Sequence, residues 1–160
     1  MNDQLFELAR LLGEELKARN LWLATAESCT GGWVGEAVTA VSGSSAWYDR
    51  GFITYTNQAK QDMLGVSAET LGAHGAVSEA TVREMALGAL AHSRAQVALA
   101  ISGIAGPTGG TPEKPVGLVW FAWAFKDGRV EAEQRVFAGD RQSVRRQAVE
   151  YALKRLLKLL

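Results

Sequence analysis

The chain has 160 residues, and its 17 Lys and Arg are balanced by 17 Asp and Glu, so the formal net charge is zero. Proteins that bind nucleic acid or a membrane surface through bulk electrostatics carry a basic excess, so the composition argues against both partners except through a local patch. The length and the 48% of hydrophobic residues predict a single domain over residues 1–160, with a core large enough to fold without disulfides or metal.

Targeting signals are not apparent in the sequence. No apolar run approaches the roughly 18 to 20 residues that a membrane-spanning helix needs. The N-terminal stretch carries acidic residues where a secretion signal would be basic and then apolar. Cys29 is the only cysteine, so no internal disulfide can form. We therefore expect a cytoplasmic protein.

Apolar spacing in the first part of the chain predicts alternating helices and strands. The first helix is expected to end near Asn20, and later helices are predicted over residues 30–41, 57–64 and 67–72. Strands are predicted over residues 21–26 and 47–56.

The second part continues this alternation. Ser78 is a good N-cap for a helix, and a buried strand follows over residues 97–101. Residues 116–125 are apolar on both faces, which is typical of a central strand. A hairpin at Asp127-Gly128 leads to a half-exposed antiparallel strand over residues 130–137, and the last helix begins after Asp140. The pattern predicts a three-layer α/β/α domain with a mixed, mostly parallel sheet of about four to six strands.

Glycine is enriched in two places, and the first lies in the segment Ala26-Glu27-Ser28-Cys29-Thr30-Gly31-Gly32, between a strand and a helix. Ligands of α/β sheets bind beyond the carboxyl ends of strands. There, Ser28 would lie at a helix N-terminus, where free N–H groups stabilise an oxyanion. Alternatively, Ser28 or Thr30 only caps the helix. Cys29 is either a thiol nucleophile or a small packed residue.

A second segment, Tyr55-Thr56-Asn57-Gln58-Ala59-Lys60, leads from a strand into a short helix. If Thr56 or Asn57 is the N-cap, Lys60 lies in the first turn, where a cation is disfavoured and its pKa falls. A lysine with a lowered pKa can act as the general base toward a serine. The alternative is an ordinary solvated lysine.

Two further segments are candidates for anion binding. The second glycine cluster, in residues 102–110, follows a buried strand, and its N–H groups could cradle a phosphate or carboxylate, although a mobile loop is the alternative. It matches neither nucleotide-binding fingerprint. Arg141 and Arg145 share one face at the start of the last helix, where a bound anion would explain them and a solvated charged face is the alternative. His74, His92 and Cys29 are not spaced as a metal site, so no metal is predicted.

Together these segments resemble the CinA C-terminal-domain family over about residues 5 to 157. The resemblance also rests on Ser42-Gly43-Ser44-Ser45, His74-Gly75-Ala76-Val77-Ser78 and Lys114-Pro115-Val116-Gly117. The enzymatic members hydrolyse the carboxamide of nicotinamide mononucleotide, giving nicotinate mononucleotide and ammonia, without a metal or organic cofactor. The resemblance therefore implies an amidohydrolase with this small-molecule substrate and no nucleic-acid or membrane partner; it leaves the oligomeric state open, a homo-oligomer included.

The resemblance also implies roles for individual residues. Ser28 would be the nucleophile and Lys60 its base, and Ser45, or Ser44 after a slip of one position, would lie near the oxyanion. Arg141 or Arg145 would hold the phosphate. The remaining positions that would line the pocket are Thr30, Gly31, Tyr55, Asn57, Ser102, Gly103 and Gly106. A non-catalytic nucleotide-binding or partner-binding module is the alternative function.

Overall fold

Six helices and five strands occupy residues 3–160, the part of the chain that this computed structural model describes. Met1 and Asn2, which open the N-terminal stretch considered above, lie outside it. The helices are α1 (Asp3–Ala18), α2 (Trp33–Thr39), α3 (Asn57–Leu64), α4 (Ala68–His74), α5 (Glu79–Ala91) and α6 (Arg141–Leu159). The strands are β1 (Leu23–Glu27), β2 (Tyr48–Ile53), β3 (Val97–Gly103), β4 (Leu118–Phe125) and β5 (Val130–Val136), and a short 3₁₀ turn spans Ser44–Ala46.

The five strands form one sheet in the order β2-β1-β3-β4-β5. β1 pairs in parallel with β2 and with β3, whereas β4 is antiparallel to both β3 and β5. Only β4 therefore runs against the direction of the other four strands. The predicted mixed, mostly parallel sheet is confirmed.

Helices cover both faces of this sheet, as the alternation of side chains along the strands requires. The larger side chains of β3, such as Leu99 and Ile101, pack with α1, α2 and α6. The opposite face is lined by alanines, which let α5 lie close to the sheet. These alanines are Ala24, Ala26, Ala98, Ala100, Ala122 and Ala124. The predicted three-layer α/β/α arrangement is confirmed.

Caps set the helix bounds where the sequence carried a clear signal. α3 spans the predicted residues 57–64, because the Thr56 hydroxyl accepts from the Ala59 amide and Gly65 ends the helix at φ 70°. Ser78 caps α5 as predicted. α2 begins later than predicted, since Gly31 and Gly32 adopt positive φ and form a turn before it.

The direction of the strands determines which loops meet. The carboxyl ends of β1, β2, β3 and β5 lie at one edge of the sheet, and the segments that follow them meet there. The start of α6 joins this edge because it follows β5. No helix within residues 3–160 is long and apolar enough to cross a bilayer.

Candidate active site

Ser28 and Lys60 meet at the carboxyl edge of the sheet. Ser28 directly follows β1, and Lys60 lies in the first turn of α3. Lys60 Nζ donates hydrogen bonds to Ser28 Oγ at 3.0 Å and to the Thr54 carbonyl at 2.8 Å. Ser28 is 8% exposed and Lys60 only 1%. The structure therefore brings the predicted nucleophile and base into direct contact.

The environment of Lys60 makes loss of its proton easier. Burial lowers the pKa of the ammonium below its usual value of 10.5, and the neighbouring Cys29 opposes this only in part. Among the described residues, none of the ion pairs includes Lys60. A buried lysine without a carboxylate partner loses its proton more readily, as a general base toward serine requires.

Cys29 lies beside this pair, but its environment does not favour a thiolate. The side chain is buried, and burial, with a smaller contribution from Glu27, raises the pKa of the thiol to about 12. A thiol with so high a pKa is protonated near neutral pH and is a poor nucleophile. Of the two alternatives for Cys29, the geometry favours the packed residue.

A cavity of about 270 Å³ opens at this edge of the sheet. Seven predicted site residues line it, namely Ser28, Lys60, Tyr55, Asn57, Ser102, Gly103 and Arg141. Cys29, which the sequence offered only as an alternative nucleophile, also lines the cavity, and Ala76, Val77 and Ala105, which were not predicted as site residues, complete the lining. Ala76 and Val77 come from the loop between α4 and α5, and their only signal in the sequence was the segment His74-Gly75-Ala76-Val77-Ser78.

Ser102 places an unpaired hydroxyl at this cavity. Its side chain is 1% exposed, and its Oγ has no hydrogen-bond partner among residues 3–160. A buried hydroxyl without a partner costs free energy that a bound polar group recovers. Next to it, Gly103 cannot carry a side chain, because a Cβ there would lie 2.7 Å from Val119 Cγ2. The missing side chain therefore lets β3 pack closely against β4 beside the cavity.

The two candidate arginines have different surroundings. Arg141 lines the cavity and donates to the Gly106 carbonyl at 2.9 Å and to the Tyr55 hydroxyl at 3.0 Å, with no carboxylate partner in residues 3–160. Arg145 instead donates to the carbonyls of Cys29 and Thr30, at 3.0 and 3.3 Å, outside the cavity lining. Arg141 is therefore the one placed to meet an anion.

Glu27 was not among the predicted site residues, yet it occupies the start of α2. One of its carboxylate oxygens accepts from Thr30 Oγ1 and from the Gly32 and Val34 amides, and the other accepts from the Gly35 amide. The Gly31 amide donates to the Ser28 carbonyl. The expectation that Thr30 and Gly31 line the pocket is corrected, because both lie outside the cavity lining. The amides of Gly31 and Gly32 at the start of the helix are engaged by other groups and are not free for an oxyanion. Gly106 is likewise outside the lining and contributes through its carbonyl.

Ser45 lies elsewhere. It belongs to the 3₁₀ turn that precedes β2, beside Trp47, whose carbonyl accepts from the first residue of β1, Leu23. That is the amino edge of the sheet, opposite to Ser28. The prediction that Ser45 or Ser44 lies near the oxyanion is corrected for this reason.

Within residues 3–160, no group of three or more His, Cys, Asp and Glu is placed to hold a metal ion.

The fold and this geometry define an α/β protein in which a buried lysine contacts a serine at the carboxyl edge of the sheet. The family model of the CinA C-terminal domain matches residues 5–160 of the chain. The chain belongs to the CinA C-terminal-domain family.

Individual relatives are similar over nearly their whole length. The nicotinamide-nucleotide amidohydrolase PncC of Escherichia coli strain K12 is 56% identical over 155 residues, which cover 97% of this chain and 94% of that protein. The protein of the same name from Pseudomonas putida is 52% identical over 158 residues, 98% of each chain. A solved structure, the competence/damage inducible protein CihA from Agrobacterium tumefaciens, superimposes with a TM-score of 0.96 at 48% identity, covering 99% of this chain and 97% of that one. The family resemblance and the expected amidohydrolase class agree with these names.

Proposed function

We propose that this chain is a serine amidohydrolase that converts nicotinamide mononucleotide into nicotinate mononucleotide and ammonia. The observation that carries the proposal is the hydrogen bond of 3.0 Å between Lys60 Nζ and Ser28 Oγ at a buried end of the cavity. The names of the Escherichia coli and Pseudomonas putida relatives supply the substrate class. In this proposal, residues 1–160 form one CinA C-terminal-like domain.

In the first half of the reaction, neutral Lys60 takes the proton of Ser28 Oγ as the oxygen attacks the carboxamide carbon. The tetrahedral intermediate collapses as its C–N bond breaks. The leaving amine takes the proton from Lys60 and departs as ammonia, which leaves an ester on Ser28. In the second half, Lys60 takes a proton from water, the resulting hydroxide attacks the ester, and Ser28 regains its proton as the acid product leaves.

The negative oxygen of the intermediates needs hydrogen-bond donors. The amides of Gly31, Gly32 and Val34 are engaged by other groups, but those of Cys29 and Thr30 donate to no oxygen of residues 3–160. We assign the oxyanion to the Cys29 amide, which directly follows the nucleophile and belongs to the cavity lining, in place of Ser45; Thr30 is fully buried outside that lining. The Ser102 hydroxyl at the same cavity is free to bind the polar edge of the carboxamide.

The mouth of the cavity suits the phosphate of a mononucleotide. Arg141 offers a guanidinium there that has no carboxylate partner in the described chain, and a phosphate accepts from such a group in a bidentate manner. None of the residues that line the cavity is an acid, so an anionic substrate meets no repulsion. The chemistry needs no metal and no organic cofactor.

The test is product analysis after incubation of the protein with nicotinamide mononucleotide in EDTA. We expect ammonia and nicotinate mononucleotide in equal amounts, because the scheme uses only protein side chains and water. A requirement for added metal would contradict it. Calorimetric binding of the mononucleotide with no product over hours would instead support the non-catalytic module.

A further inference from the structure

Glu27 is a buried carboxylate that the proposed reaction does not use. It is 2% exposed and directly precedes Ser28 in the chain. Burial of an ionised carboxylate is costly unless hydrogen bonds compensate for the lost water. None of the ion pairs within residues 3–160 includes it. Its compensation comes from hydrogen-bond donors alone.

These donors all belong to the turn that carries Ser28. Glu27 Oε1 accepts from Thr30 Oγ1 at 2.6 Å, from the Gly32 amide at 3.2 Å and from the Val34 amide at 2.9 Å. Oε2 accepts from the Gly35 amide at 3.1 Å. The carboxylate thereby satisfies the N–H groups at the start of α2 and complements the positive end of the helix.

The two glycines make this wrap feasible. Gly31 and Gly32 adopt φ of 60° and 106°, so the chain curls back over the side chain of Glu27. A Cβ on Gly32 would lie 2.9 Å from Ile53 Cδ1. The turn is therefore closely packed as well as hydrogen-bonded.

Arg145 closes the same turn from the other side. It donates to the carbonyls of Cys29 and Thr30, and its guanidinium lies 5.7 Å from the centre of the Trp33 ring. The segment from Ser28 to α2 is thus held through its N–H groups by Glu27 and through its carbonyls by Arg145. Neither side chain lines the cavity.

We infer that Glu27 is a positioning residue, which fixes the turn after β1 so that Ser28 Oγ faces Lys60 Nζ and the Cys29 amide faces the oxyanion. Arg145 supports the same turn. Because Glu27 occupies the start of α2, the substrate phosphate is excluded from that helix end and is left to Arg141. This inference rests on the proposed function for its substrate, but not for its geometry.

Variants of Glu27 separate positioning from a general structural role. Glu27→Gln keeps one carbonyl oxygen, which can retain the three bonds now made at Oε1, and loses the bond from Gly35. Glu27→Ala loses all four. Thr30→Val removes a single donor at nearly constant shape. Glu36→Ala is the matched control, because Glu36 is exposed on the same helix.

We expect kcat to fall about 10²-fold in Glu27→Ala with KM changed little, since small misplacement of a reacting group has this cost. The kcat of Glu27→Gln should be close to the wild-type value. The kcat of Thr30→Val should lie between those of Glu27→Ala and the wild type, and Glu36→Ala should match the wild type. Equal kcat in folded Glu27→Ala and the wild type would overturn the inference. A change confined to KM in Glu27→Gln and Thr30→Val would also overturn it. These two milder variants keep the inference testable if Glu27→Ala does not fold.

A second measurement does not depend on the substrate. A fluorophosphonate reacts with an activated serine, releasing fluoride, and peptide mass spectrometry reads the rate at Ser28. Labelling should slow in the order wild type, Glu27→Gln, Glu27→Ala, and an unchanged rate across the series would overturn the inference. If the wild type labels at Ser28 but does not turn over nicotinamide mononucleotide, the proposed function fails while the positioning role is still tested.

Discussion

The two ends of the cavity differ sharply in their exposure. At the inner end, Lys60 and Ser102 are each 1% exposed and Ser28 is 8% exposed. At the mouth, Tyr55 is 59% exposed, and it accepts a hydrogen bond from Arg141. Burial at the inner end lowers the pKa of Lys60, whereas the mouth presents the guanidinium of Arg141, which has no carboxylate partner in residues 3–160.

This difference assigns separate tasks to the two ends. A base must be neutral before it can take a proton, which the dry inner end favours. An anion binder must stay charged, and the wet mouth allows this. Changes at the inner end should therefore lower kcat, and changes at the mouth should raise KM.

The largest effect is expected for Lys60. Replacement by Met removes the base, and replacement by Arg keeps a cation that cannot be deprotonated. Both variants should lose about 10²–10⁴-fold in kcat, the range for a removed general base. Steady-state ammonia release measures this. If Lys60→Arg kept wild-type kcat, a charge rather than a base would be required at the inner end.

The pH dependence follows from the lowered pKa of Lys60. The wild-type rate should rise with pH as Lys60 loses its proton and should level off below pH 10.5, the ordinary value. The unfolded chain holds this proton more tightly than the folded one. Lys60 should therefore add to the free energy of unfolding as pH rises from its lowered pKa to 10.5. Measuring the rate of ammonia release and the free energy of unfolding as functions of pH, up to pH 10.5, checks both trends. A rate that falls as pH rises toward 10.5 would contradict Lys60 as the base.

Arg141 should show the opposite kinetic signature. Arg141→Ala removes hydrogen bonds to a charged group, worth about 1.5–3 kcal/mol, so KM should rise roughly 10- to 100-fold with kcat little changed. Arg141→Lys should recover part of the affinity as a point charge. Arg146→Ala is the matched control, because Arg146 pairs with Glu150 away from the cavity. A loss of kcat alone in Arg141→Ala would remove the distinction between the two ends.

Ser102 should give the smallest kinetic effect and a gain in stability. Ser102→Ala removes a buried hydroxyl that has no partner in the described residues, so the free energy of unfolding should increase by up to about 1–3 kcal/mol. Substrate binding should weaken by a few-fold, because the carboxamide loses one contact. Denaturant unfolding and KM together test this. A destabilised variant with unchanged KM would show that the hydroxyl does not face the substrate.

Local sequence signals predicted most of the fold. α3 has its predicted bounds because Thr56 and Gly65 cap it within a few residues of chain. The apolar alternation of residues 116–125 predicted a strand covered on both faces, and β4 is one. The pairing of Ser28 with Lys60 was implied by the family resemblance and not by local signals; the parallel direction of β1 and β2, which these residues follow, explains why they meet.

Contacts between residues far apart in the chain could not be predicted from local sequence signals. Arg145 reaches the carbonyl of Cys29 across 116 positions of sequence, and nothing in its spacing distinguishes it from Arg141. Ser45 was misplaced because a shared motif says nothing about which edge of the sheet it occupies. The predicted strand over residues 47–56 already implied the correct position, because a turn that precedes a strand lies at the amino edge of a parallel sheet, whereas Ser28 follows its strand. Glu27 was not predicted although its partners are only three to eight residues away, because the spacing of these residues does not indicate that the side chain folds back onto the amides that follow it.

The most direct test of the account is ammonia release from nicotinamide mononucleotide by Ser28→Ala, beside Cys29→Ala and the wild type under the same conditions. Loss of the nucleophile should lower the rate by at least about 10³-fold, while Cys29→Ala retains substantial turnover. Matched thermal unfolding curves show that both variants are folded. Wild-type ammonia release by Ser28→Ala would contradict the account, and its loss in Cys29→Ala alone would assign the chemistry to the thiol.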